Sequence, residues 1–179
     1  MFVPMPFKVM ITGHRPHLLG GYDENNPKKL AIEKKLRGIL TRINTTAIEK
    51  GKQPIVISGM ALGVDQWWAK AAIDQGIACH AYIPFKGQET RWPKPSQKEY
   101  RKLLARCEKK IIVCPGGYAA WKMKTRNEAM VNNANVCVAI WNGNFKSGTG
   151  HCVAYISEAK KPCLIVDPAT LEARWELNS

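Results

Sequence analysis

Short apolar runs alternate along the chain with longer stretches in which apolar residues recur every three or four positions. Residues 7–12 (FKVMIT), 54–58 (PIVIS), 77–84 (IACHAYIP), 110–115 (KIIVCP), 136–141 (VCVAIW) and 162–166 (PCLIV) read as strands. Such continuous apolar runs suit strands covered on both faces. Between them, residues 27–51 place Leu36, Ile39, Leu40, Ile43 and Ala47 at helical spacing, with Pro27 suited to a first turn and Gly51 to a stop. Residues 63–76 and 149–161 also read as helices, and residues 118–134 are helical in their second half. In residues 96–109, Ser96 and Glu99 have capping-box spacing, which predicts a helix starting at Ser96. The tail, 167–179, has room for a short edge strand.

Strict alternation of strand and helix implies right-handed crossovers and a parallel sheet. The expected fold is α/β: a Rossmann-like three-layer sandwich with a mostly parallel central sheet, in one domain spanning residues 1–179. Ligands of such sheets bind beyond the carboxyl ends of the strands, so the loops after the strands are the ones to read.

Three of these loops carry glycine beside groups that suit anions. After the first strand, Thr12, Gly13, His14 and Arg15 offer a tight bend, hydrogen-bonding side chains and a planar guanidinium that matches phosphate. The alternative is a turn in which Arg15 pairs with a local carboxylate. After the second strand come Ser58, Gly59, Met60, Ala61 and Gly63, and then a helix whose free N–H groups favour an anion. Asp65 falls in its first turn, where it either orients a ribose hydroxyl or complements the helix dipole. After the fifth strand, Ser147, Gly148, Thr149 and Gly150 precede an apolar helix, as a second phosphate cradle or as plain loop closure capped by Thr149. Two further loops hold Lys86, Gln88, Glu89, Arg91 and Trp92, and Tyr118, Trp121, Lys122, Arg126 and Asn127. Aromatics beside bases suit a stacked nucleobase and a paired phosphate, or they cover the sheet end.

The formal net charge is +13, from 27 Lys and Arg against 14 Asp and Glu, which favours anionic partners. The basic residues are scattered, without the long run of a nucleic-acid arm. Cys79, Cys107, Cys114, Cys137, Cys152 and Cys163 include no C-x-x-C pair, so buried free thiols in a cytoplasmic protein are expected. Structural zinc would need ligand spacing that is absent, and no metal or cofactor is expected. No apolar run nears the roughly 20 residues of a membrane span, and no signal peptide is read at the start.

The stretches TGHRPHLLGGYD, ISGMALGVDQWWAKAA, IPFKGQETRWP, GGYAAWKMKTRNEAMVNNA and AIWNGNFKSGTGHCVAY together resemble the YpsA-type branch of the SLOG superfamily, which also includes the DprA and Lonely-Guy proteins. The resemblance runs from about Lys8 to Val166. It implies a Rossmann-like fold that binds nucleotides or nucleotide-derived ligands, in members often linked to phage and bacterial conflict systems. Lonely-Guy enzymes cleave the N-glycosidic bond of nucleoside 5′-monophosphates and carry P-G-G-x-G-T-x-x-E. Here Pro115, Gly116 and Gly117 continue as YAAW, and Cys152 stands three residues after Thr149 where that pattern has Glu. Glu158 is more than two turns into the helix. The carboxylates left to serve glycosidic cleavage are Asp65, Glu89 and Glu128.

Three functions follow as expectations. The first is binding of a nucleotide-type small molecule by the glycine loops, with Arg15 as clamp and Trp92 or Trp121 against the base. The second is an N-glycosidase or phosphoribohydrolase using Asp65, Glu89 or Glu128. The third is DprA-like nucleic-acid binding, which the scattered charge disfavours. A homo-oligomer is expected, and no membrane partner.

Overall fold

The structure, a computed structural model, describes residues 2–178. Seven strands form one sheet in the order β4-β3-β2-β1-β5-β6-β7. They are β1 (Met5–Gly13), β2 (Lys52–Ser58), β3 (Ala78–Ile83), β4 (Lys109–Ile112), β5 (Val136–Ile140), β6 (Cys163–Val166) and β7 (Ala173–Glu176). The first six are parallel, and β7 pairs antiparallel with β6. The helices are α1 (Pro27–Glu49), α2 (Val64–Asp74), α3 (Lys94–Ala105), α4 (Trp121–Asn133) and α5 (Gly148–Glu158). This is the expected α/β architecture, with the tail supplying the edge strand.

Alternation along the central strands feeds two cores. Val9, Ile11, Val56, Ala81 and Val138 face α1, α2 and α3, together with the fully buried Trp68. Met10, Ile57, Cys137, Ala139 and Ile165 face the other way, against Met130 of α4 and Val153 and Ile156 of α5. The topology follows from crossover handedness. The chain moves outward from β1 to β4 with its helices on one face, then returns past β1 to β5 and β6 with α4 and α5 on the other. Among the described residues, no helix is long and apolar enough to cross a membrane.

Helix ends depart from the sequence reading in two places. α3 starts at Lys94, with Pro93 at the N-cap and Pro95 in the first turn. The proline geometry opens the helix two residues before Ser96, which therefore lies inside the first turn and caps nothing, while Glu99 pairs with Lys102 at 3.0 Å. In α5 the cap is Ser147, whose side chain accepts from the Gly150 N–H at 2.9 Å, and Thr149 is already helical. All six cysteines are free and buried.

Candidate functional site

The order of the sheet reverses between β1 and β5. From β1 one path leads to β2, β3 and β4, and the other to β5, β6 and β7. The carboxyl end of such a switch point is where an open α/β sheet leaves a crevice. A cleft of about 350 Å³ lies there, bounded by Thr12–Arg15, Ala61, Asp65, Arg126, Asn127 and Ser147–Thr149. The three glycine-bearing loops thus end on one rim.

Each wall has a local cause. Gly13 packs against the start of α2, where a Cβ would come 2.6 Å from Val64 Cγ1. Gly63 adopts φ +94°, and a Cβ there would meet the His14 carbonyl at 2.9 Å. The first and second loops thus approach too closely to admit a side chain at either glycine. Ser58 is fully buried and donates its hydroxyl to the Asp65 carbonyl at 2.7 Å while accepting the Met60 N–H at 3.1 Å. Met60 takes φ +58°, a left-handed conformation that a buried methionine adopts only under such constraint. These bonds fold the second loop back so that Asp65 faces the cleft.

His14 joins β1 to the third loop. The Asn142 N–H donates to its Nε2 at 3.2 Å, so that nitrogen carries no proton. The neutral ring then has its proton on Nδ1, which faces Thr149 Oγ1 at 3.5 Å. Burial pushes the His14 pKa below its ordinary 6.5. The unfolded chain therefore binds a proton that the folded protein resists, and stability is lost as pH falls below 6.5. A thermal unfolding series from about pH 7.5 to about pH 5 is expected to slope more steeply for the native chain than for His14→Gln. Equal slopes would remove His14 as the cause.

Asp65 and Arg126 form the floor, 7% and 4% exposed. Asp65 Oδ2 accepts the Ala61 N–H at 3.3 Å. Burial raises its pKa, against the opposing pull of the Arg126 guanidinium. Arg126 donates Nη1 to the Gly59 carbonyl and, at 3.5 Å, to the Tyr82 carbonyl, and Nε to Asn127 Oδ1 at 2.9 Å. A Cβ on Gly59 would run into that guanidinium, so the glycine is what admits Arg126. Arg15 stands at the mouth, exposed, and its guanidinium has no hydrogen bond or ion pair among the described residues. The Gly148 and Thr149 N–H groups, in the first turn of α5, also have no partner among the described residues. The cleft therefore combines free donors and a guanidinium at its rim with a carboxylate at its base.

Other residues singled out from the sequence lie elsewhere. Ser58, Gly59, Met60, Gly63 and Gly150 shape the loops from behind the cleft. Glu89 is buried and faces Arg101 at 3.3 Å, and Glu128 lies 3.9 Å from Lys124, so Asp65 alone of the three candidate carboxylates lines the cleft. Trp92 packs on the core and edge-on to Tyr100, closing the sheet end. Trp121 is 61% exposed at the start of α4. Arg91 lies over the Tyr118 ring at 5.0 Å, and Lys86 is exposed. Lys122 is tied to the carbonyls of Pro115 and Gly117. None of these four, Trp92, Trp121, Arg91 or Lys86, lines the cleft. His17 and Leu18 do line it, and Asn142 fixes the His14 tautomer. His17 was within reach of the sequence, two positions after Arg15, whereas nothing in the sequence marks Asn142.

Comparison with known proteins gives a consistent picture. The prophage-derived protein YoqJ of Bacillus subtilis is 30% identical over 158 residues, covering 78% of this chain and 86% of that protein. A UPF0398 protein of Lysinibacillus sphaericus is 26% identical over 142 residues, covering 74% of each chain. Among solved structures, DNA processing protein A of Streptococcus pneumoniae aligns with a TM-score of 0.62 at 16% identity, over 93% of this chain. The chain spans about half of that protein, 52%. DNA processing protein A of Helicobacter pylori, solved for its single-stranded DNA binding mode, gives a TM-score of 0.62 at 17% identity, covering 94% of this chain and 69% of its own. These two likenesses show the fold. A family model matches residues 9–170, and the chain belongs to the YspA SLOG family.

Proposed function

We propose that the protein binds a nucleotide or nucleotide-derived small molecule in the cleft between β1 and β5. The observation that carries this reading is the convergence of unpartnered donors on one rim. The Gly148 and Thr149 N–H groups and the Arg15 guanidinium open on the same cleft, above the Asp65 carboxylate. Free amides at a helix start, with its positive dipole end, receive phosphate. A carboxylate below them suits a sugar hydroxyl, which donates to it. The volume, about 350 Å³, fits one small ligand.

Calorimetric titration with nucleoside monophosphates, NAD derivatives, cyclic dinucleotides and an oligonucleotide tests the reading. A mononucleotide is expected to bind and to be displaced by inorganic phosphate. Gly148→Pro is expected to weaken that binding about 3- to 10-fold without loss of stability, since it removes one donor N–H at a position where proline suits a helix start. Ser147 already has the extended φ −83°, ψ 162° that a following proline requires. Absence of any binding, or full affinity in Gly148→Pro, overturns it. Tighter binding of the oligonucleotide with a steep salt dependence favours nucleic acid instead. Asp65 supports a second reading, hydrolysis of the glycosidic bond. Free base released on incubation, and lost in Asp65→Asn, would establish that reading.

A further inference from the structure

Because α1, α2 and α3 serve the strands from β1 to β4, and α4 and α5 the opposite face, the α1 side of β5, β6 and β7 has no helix of its own. An apolar trough of about 420 Å³ runs there. Its floor is Phe7, Val136, Leu164, Ala173 and Trp175, the alternate positions of four strands, and Trp175 is 56% exposed. One wall is α1, which contributes Lys35, Ile39, Arg42 and Ile43. Neither cation has an ion-pair partner, and no Asp or Glu lines the trough, among the described residues.

We infer that this trough docks an amphipathic helix of a partner protein, with an apolar stripe on the β5-β6-β7 floor and acidic side chains along the edge facing Lys35 and Arg42. Val138, Ile140 and Val166 are buried in the α1-side core, while Val136 and Leu164 are half-buried beside the exposed Ala173 and Trp175, so the open floor is a margin of the sheet along which one helix, about 10–12 Å across, can lie. The apolar floor provides the burial, and the two unpartnered cations select the sign of the flanking charge. A second copy of this chain fits less well. An isologous pairing would bring the Lys35 and Arg42 of both molecules to one seam, in a protein of net charge +13.

The test is selection from a displayed library of 18-residue helices. An apolar stripe at helical spacing is fixed, and the flanking positions vary among Glu, Gln and Lys. Selected helices are expected to carry Glu on one flank and to change Trp175 emission on binding. Charge reversal at the half-buried Lys35 and the exposed Arg42, Lys35→Glu with Arg42→Glu, is expected to weaken them at least about tenfold, and Lys on the peptide flank to restore binding to that variant. Trp175→Ser at the exposed edge strand is a second variant, expected to weaken every selected helix. Helices without charge bias, helices indifferent to both variants, or no helices at all overturn the inference. So does a dimer that Trp175→Ser dissociates, or an anionic vesicle that displaces the peptides.

Discussion

Arg126→Met is expected to cost about 2–5 kcal/mol of folding stability, read as a shift of the denaturant midpoint at unchanged slope. The side chain is 4% exposed and bonds the carbonyls of Gly59 and Tyr82, at the ends of β2 and β3, from a helix on the other face of the loop. Methionine fills similar volume but donates nothing. It leaves the Gly59 and Tyr82 carbonyls without this donor and removes the guanidinium charge that opposes the rise of the Asp65 pKa. A buried acceptor left without its donor costs about 1–3 kcal/mol, and two such acceptors account for the size of the effect. The corollary separates the terms: Asp65→Asn in the Arg126→Met background removes the Asp65 charge and is expected to recover part of the loss. Additive losses would show that Asp65 and Arg126 act independently.

Arg15→Ala is expected to behave in the opposite way, with an unchanged unfolding midpoint and affinity for a bound mononucleotide lower by about 10- to 100-fold, the range of one charge-assisted hydrogen bond. The guanidinium is exposed and has no partner among the described residues, so its loss exposes no buried group. Arg15→Lys is expected to restore only part of the affinity, since an ammonium keeps the charge and lacks the planar fork. Full affinity in Arg15→Ala would place the anion elsewhere. The contrast between Arg126 and Arg15 divides the basic residues of the cleft into one that holds the loops and one left free for a ligand.

Both residues were visible in the sequence, yet their different uses were not. Arg126 lies 111 positions beyond Arg15, on a helix whose apolar pattern is weak, and only the return of α4 across β1 brings it beneath Gly59. The aromatic residues show the same limit. Trp92 and Trp121 stand beside bases in their loops, as a stacking site would, but Trp92 closes the core against Tyr100 and Trp121 faces outward. A loop's composition records which groups are available and is silent on which way each one turns.

Local chemistry alone determined the strand and helix alternation, the parallel sheet and the three glycine-bearing bends after β1, β2 and β5. Periodicity and backbone preference act within a few residues, so one chain suffices to read them. The tertiary structure decided which bends share a cleft, that Asp65 reaches it while Glu89 and Glu128 do not, and that the His14 tautomer is fixed by an N–H 128 positions away. Those outcomes depend on strand order and crossover direction, which bring distant segments together through burial over the whole sheet and leave no mark in the local sequence.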